Sequence, residues 1–261
     1  MEWASRNGDE TSGKNGTLLS LTWLMRVLLG IGGLLTAILC WPVAEASWQA
    51  QRADAVLKAL REGPPPSLAD VRAGIAANDR AVAAEPSAGR FFRRSDMLAT
   101  AAYSQALKLT DAERTELLKR ARDDLKRGLS KDPARPSQWL SLASVDEGLE
   151  GSSRALVPYI FMSLDTGRTQ ASLWPARMRL ILTNWAYFTD EEKQRLNDYV
   201  VMTWRNTGFW DRRWFGQSVY DVFDEVIIRW LLRDEPMSAQ EELSKWLKEA
   251  IRVKEEAAKR R

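Results

Sequence analysis

The side chains able to do acid–base or metal chemistry in this sequence are carboxylates, and they come in short runs. Asp123-Asp124, Glu191-Glu192 and Glu241-Glu242 are adjacent pairs, and Asp146, Glu147 and Glu150 form a looser acidic group. Two carboxylates divide the work of general acid and general base when their surroundings push their pKa values apart. Each of these pairs falls inside a helical pattern or its first turn, where acids meet solvent or the positive end of the helix dipole. Calcium ligation by Asp146, Glu147 and Glu150 lacks the loop glycine and the alternating ligand spacing. The 261 residues include no histidine, which excludes Ser-His-Asp and Cys-His arrangements and removes the commonest metal ligand. The one cysteine, Cys40, sits in an apolar run and has no intramolecular disulfide partner. Phosphate-binding glycine loops are absent, since Gly30, Gly32 and Gly33 belong to the same apolar run. The expectation is a protein that is not an enzyme, with no catalytic residue, cofactor or metal. An enzyme acting on glycans through carboxylates alone is the catalytic alternative.

Charge narrows the partners. The chain has 38 Lys and Arg against 35 Asp and Glu, a net charge of +3. Cations matched this closely by acids give no electrostatic footprint for nucleic acid. The 12 tryptophans point instead to large aromatic anchors in a core, an interface or a membrane boundary.

The element that would position the rest is apolar. Thr17 to Val43 contains one charge, Arg26, and Val27 to Ala44 is uncharged throughout. Eighteen residues at about 1.5 Å each approach the roughly 30 Å of a bilayer core. Arg26 can snorkel to the headgroups, and Trp41 and Trp48 suit the far interface. Gly33 and Ala37 have the small-xxx-small spacing of a helix contact within the bilayer. The order of Arg26, apolar run and Ala44-Glu45-Ala46 also has the form of a cleaved secretory signal, for which the polar leader is long. A buried core helix is the third reading, opposed by the glycines and the unbroken apolarity. The expected topology is single-pass with the amino terminus inside, which in a bacterium means an inner-membrane protein with a periplasmic carboxy-terminal domain.

Behind this segment the signals are all helical. Gly63-Pro64-Pro65-Pro66 stops the first helix, and proline cannot continue one. Ser67 with Asp70, Thr110 with Glu113, Thr189 with Glu192 and Ser238 with Glu241 have capping-box spacing. They predict helices from Ser67 to Glu85, Asp111 to Ser130, Asp190 to Arg205 and from Ser238 onward. Apolar periodicity adds helices over Ala88 to Leu109 and Ala171 to Tyr187. Strand signals are missing.

Within this body, Trp139, Leu142 and Ala143 have W-x2-L-small spacing, and Ala155 and Tyr159 have A-x3-aromatic spacing. Gly74, Asn78, Ala81 and Pro86, and then Ala121, Leu125, Gly128 and Pro133, repeat the second half of such a unit, with Asn78 in place of a large aromatic. The pattern resembles tetratricopeptide repeats, most closely over Trp139 to Tyr159 and more loosely over residues 67–205. The proline endings recur 47 residues apart, longer than the usual 34-residue unit. The resemblance implies an all-α fold, a degenerate array of helical hairpins, whose concave face binds proteins or peptides. Trp139, Leu142, Ala143, Ala155 and Tyr159 carry over as packing residues only. The layout of anchor and array also resembles bacterial envelope proteins that support polysaccharide assembly.

Thr207 to Leu232 differs from the rest. Phe209, Trp210, Trp214, Phe215, Tyr220, Phe223 and Trp230 are seven aromatics within 22 residues, interleaved with Arg212, Arg213 and Arg229. They either cap the end of the array or form an exposed partner patch. The candidate partner-binding residues are therefore Phe209, Trp210, Trp214, Phe215, Tyr220 and Trp230, beside Gly33 and Ala37 in the span. The expected organisation is a disordered tail over 1–16, a transmembrane anchor over 17–43, a juxtamembrane helix and proline break over 44–66, the helical domain over 67–205, and an aromatic-rich cap over 206–261. The function expected is a membrane-anchored scaffold that binds other proteins, themselves membrane-associated, and the lipid bilayer through residues 17–43. The alternative is a structural subunit of an integral membrane complex, docked by its span and its aromatic segment.

Overall fold

A computed structural model of the chain describes residues 12–206, 208 and 225–259. Among the described residues the regular structure is all helical, with no strand. The first helix, α1 (Ser12–Glu62), is 51 residues long and carries one segment long and apolar enough to cross a membrane. It begins before Thr17, so residues 12–16 are helix and not tail, and it runs through Pro42, so the juxtamembrane helix continues the apolar segment and does not follow a break there. Proline removes one intrahelical hydrogen bond, which a helix in apolar surroundings tolerates when neighbouring turns hold it.

The two halves of α1 have different surroundings. Leu28, Leu34, Ile38, Leu39 and Trp41 are exposed. Ala46, Ala50, Ala53 and Leu57 are buried, at the i, i+4, i+7, i+11 spacing of one helical stripe. That stripe packs against α2 (Leu68–Ala84) and α3 (Ala88–Tyr103). A helix that leaves the apolar segment thus becomes, without a break, the first helix of the folded body.

The proline run at 64–66 ends α1, and Ser67 restarts the chain. Its hydroxyl accepts from the Asp70 amide at 3.2 Å, and the Asp70 carboxylate accepts from the Ser67 amide at 3.3 Å. Thr110 and Glu113 do the same at the start of α4 (Asp111–Lys131), and Thr189 and Glu192 at the start of α8 (Asp190–Asn206). Each box satisfies amides that would otherwise lack partners, for about 1 kcal/mol. Between them lie α5 (Pro136–Glu150), α6 (Val157–Thr166) and α7 (Trp174–Thr183), each with proline in its first turn. The body closes with α9 (Glu225–Leu231) and α10 (Met237–Lys259).

Three expected helices have different bounds. The helix from Ala88 stops at Tyr103, followed by a 3-10 turn at Gln105–Leu107 that Lys108 ends with φ of 47°. The stretch from Ala171 to Tyr187 is α7 between two 3-10 turns, because Pro175 starts a helix and Asn184 bonds back to the Leu180 carbonyl at its end. Ser238 does not cap the last helix, which already runs at Met237 after Pro236.

Successive helices run antiparallel. Val56 and Gln49 on α1 meet Gly74 and Arg80 on α2. Arg94 and Phe92 on α3 meet Asp124 and Gly128 on α4. Ser163 and Ser153 meet Arg177 and Asn184 across α6 and α7. Gly128 is required by one close approach, since a Cβ there would lie 2.3 Å from the Phe92 ring. Two apolar cores result. One joins α1 to α5 around Met97, Leu98, Ala101 and Leu125, and the other joins α5 to α10 around Ile160, Met178, Ile181 and Trp204.

Candidate functional site

The carboxylates come first. Asp124 is buried and accepts two bonds from the Arg94 guanidinium, both at 2.6 Å, while Arg94 also donates to Asp79 at 2.9 Å. Asp79 in turn accepts from Arg120 at 2.8 Å, so two acids and two cations tie α2, α3 and α4 together. Glu192 caps α8 and pairs with Arg154, whose guanidinium pushes the carboxyl down to about 2, with the Thr189 amide and hydroxyl adding to the shift. Glu147 binds Arg179 at 2.6 Å, Thr183 at 2.8 Å and Asn184 at 3.2 Å. Glu150 binds Arg122 at 2.7 Å, and Asp146 stands 3.6 Å from the same guanidinium. Burial pushes the Asp146 carboxyl above its ordinary range, against the pull of Lys126 and Arg122. Of the last acidic pair, Glu241 is exposed and Glu242 lies 3.5 Å from the Trp246 indole nitrogen. Arginines and helix starts therefore hold most of these acids. Among the described residues no group of three or more is placed to hold a metal ion.

The concave features are apolar. A groove of about 360 Å³ opens between α2, the end of α3 and the start of α4. Leu68, Val71 and Ile75 form one wall, and Leu107, Leu109 and Leu117 form the other. Arg72 and Glu113 close the rim with a 3.2 Å ion pair. The Thr110 amide and hydroxyl, with Arg72 behind them, hold the Glu113 carboxyl below its ordinary range. The volume falls in the range of sites that take a side chain or small ligand. The 3-10 turn supplies Leu107 and brings in Leu109, and the continuous helix expected to Leu109 hid that corner.

A second cleft, about 560 Å³, lies over Leu129, Leu142, Trp139 and Tyr159. The last two rings stack with centroids 6.1 Å apart, and the Trp139 indole donates to the Pro133 carbonyl at 2.8 Å. Leu142 and Ala143 are buried. Ala155 is not a packing residue: it sits in the 3-10 turn at Arg154–Leu156 and is exposed, and Leu156 and Val157 take the buried places.

Gly33 and Ala37 lie exposed on α1, and a Cβ at Gly33 would meet nothing within 4 Å. Of the aromatic candidates, Trp230 is half-buried, with its ring edge to Trp185 at 5.4 Å and the Arg233 guanidinium 3.7 Å from its centre. Phe209, Trp210, Trp214, Phe215 and Tyr220 lie outside the described residues. No spacing or motif singles out Arg177. It is fully buried and donates to the Ser163 hydroxyl at 3.1 Å, to the Ser163 carbonyl and to the Tyr199 hydroxyl at 2.7 Å, without a carboxylate among the described residues. Such a group braces α6, α7 and α8 from inside.

No family model, curated protein or solved structure matches this chain.

Proposed function

We propose that the chain is a membrane-anchored, non-catalytic scaffold that binds protein partners through its helical body and supports an assembly of the cell envelope. The observation that carries this reading is α1, whose exposed apolar half passes directly into the buried stripe of the folded body. Such a helix ties the body to a bilayer without a linker. Residence in a bacterial inner membrane with the body in the periplasm belongs to the same proposal, supported by the order of Arg26, apolar run and small residues. The tetratricopeptide-like reading is supported by the antiparallel succession of helices and by the Trp139–Tyr159 stack. The groove of Leu68, Val71, Leu109 and Leu117 suits a protein segment that presents aliphatic anchors.

Purification of the full-length chain from its native membrane in mild detergent tests this. A stoichiometric partner is expected with the wild type and with the control Ala134→Glu, and is lost from Leu109→Glu/Leu117→Glu. A chain that comes alone, or keeps its partner through the groove substitutions, overturns the groove. A chain that alkaline washing strips from the membrane overturns the anchor.

The second reading is an accessory subunit docked on an integral membrane complex through its span and aromatic carboxy-terminal segment. The small-xxx-small spacing of Gly33 and Ala37, on a half of α1 that the folded body does not cover, favours it. It requires the partner to be lost from Gly33→Leu/Ala37→Leu and kept when the groove is changed.

A further inference from the structure

We infer that the end of the helical body nearest the apolar half of α1 rests on anionic lipid headgroups of the same bilayer. The inference rests on the anchor reading above. Val43 ends the apolar run, and Ser47 follows about 6 Å further along the helix. Headgroups occupy roughly 5–8 Å on each side of the hydrocarbon core. Ser47 therefore stands at headgroup depth, and the Arg90 guanidinium donates to its hydroxyl at 3.0 Å. The start of α3 is brought to the bilayer surface by that contact.

Antiparallel packing carries the same level across the body. Phe92 meets Gly128, so Lys131 lies one turn nearer the membrane on α4. Pro136 meets Gly167, so Arg168 lies level with the start of α5. The ends of α2, α4, α6 and α8 thus share one side with the apolar half of α1, and their starts share the other.

The two ends differ in charge. Helix starts carry the acids that cap them, and Asp70, Asp111, Glu113, Glu116 and Asp190 all lie away from the membrane. The near end carries Arg52, Arg127, Lys131 and Arg168, none of which has a carboxylate partner among the described residues. Arg52 places its guanidinium 5.9 Å from the Trp48 ring, on the side of that turn toward the bilayer. The acids on this half are mostly paired: Glu85, Asp132, Asp165, Asp54 and Glu235 with Arg90, Arg135, Arg195, Arg93 and Arg205, and Asp79 and Asp124 with Arg94, while Glu45, Asp123 and Asp198 are exposed. A net charge of +3 conceals this polarity. A cationic rim held at headgroup depth is complementary to phosphatidylglycerol-type lipid.

The test uses the full-length chain in nanodiscs of phosphatidylglycerol or of phosphatidylcholine, with hydrogen exchange followed at residues 132–135 and 167–170. Exchange there is expected to be about tenfold slower in the anionic discs, with the difference lost at high salt. Arg127→Glu/Lys131→Glu/Arg168→Glu should abolish the difference, while Lys58→Glu, on the far half of the body, should keep it. Equal exchange in both lipids, from a chain that remains in the discs, overturns the docking and leaves the anchor standing. Equal protection in both also overturns it, since charge would then play no part. A chain that fails to enter discs of either kind overturns the anchor itself.

Discussion

Removing Asp124 should unfold the body well below its normal temperature, and the structure sets the size of the effect. The Asp124 side chain is 3% exposed and that of Arg94 15%, and the two share a pair of 2.6 Å bonds. Breaking a buried pair from one side costs about 3–5 kcal/mol, because the remaining charge stays buried. Arg94 keeps Asp79 at 2.9 Å, which places Asp124→Ala at the low end, about 3 kcal/mol. For a body of this size the melting temperature then falls by about 6–12 °C. The assay is helical circular dichroism of the full-length chain in micelles as it is heated. Asp123→Ala is the matched control, since Asp123 is exposed and its loss should stay within about 0.5 kcal/mol. Arg94→Leu/Asp124→Leu should lose less than Asp124→Ala, because it leaves no charge stranded. Equal melting of Asp124→Ala and Asp123→Ala would refute the reasoning, as would a double variant weaker than the single one.

Three further outcomes follow from the same contacts. Gly128→Ala gains helix propensity of about 1 kcal/mol, yet its Cβ meets the Phe92 ring at 2.3 Å, so a net loss of about 1–2 kcal/mol is expected in urea denaturation. Tyr199→Phe takes an acceptor from the buried Arg177 and should cost about 2 kcal/mol in the same measurement, with the fold retained. Glu192 has its carboxyl held at about 2 in the folded chain against an ordinary 4.5, so its contribution is complete above about 4.5 and is lost as pH falls through about 2. Wild type should therefore melt above Glu192→Gln at pH 6, with the gap closing between pH 4.5 and 2; a gap constant across that window would show that Glu192 does not stabilise through its charge.

The features legible in the sequence are those written within one turn. Ser67, Thr110 and Thr189 reach partners three residues on, so a local pattern finds them and the helices they start. Hydropathy finds the apolar half of α1 because its uncharged residues are contiguous in the chain. The misses lie where partners are distant. Arg94 finds Asp124 across 30 residues and Asp79 across 15, and Arg177 finds Tyr199 across 22. No spacing rule encodes those meetings. Ala155 misses the buried face by one position, because the 3-10 turn before α6 shifts that face onto Leu156. The groove was illegible because three elements build it, one of them a turn whose left-handed Lys108 lacks the usual glycine or asparagine signal.

The continuity of α1 also fixes how its apolar half and the body face each other. At about 100° per residue, Ala46 lies about 180° around the helix from Ala37 and about 220° from Gly33. Ala46 begins the stripe buried against α2 and α3, so the small residues of the span look away from the body. Proline at position 42 can bend the axis by tens of degrees, which is small beside a half turn. A second membrane helix packed on Gly33 and Ala37 would therefore approach from the side the body leaves free, without meeting α2. The groove of Leu109 and Leu117 lies along the first turns of α2, about 20–28 Å along the helix axis from Val43. Substitutions in the span and in the groove share no neighbour, so their effects on partner retention should add. Additivity is what separates a chain with two independent binding surfaces from one in which the span serves the groove.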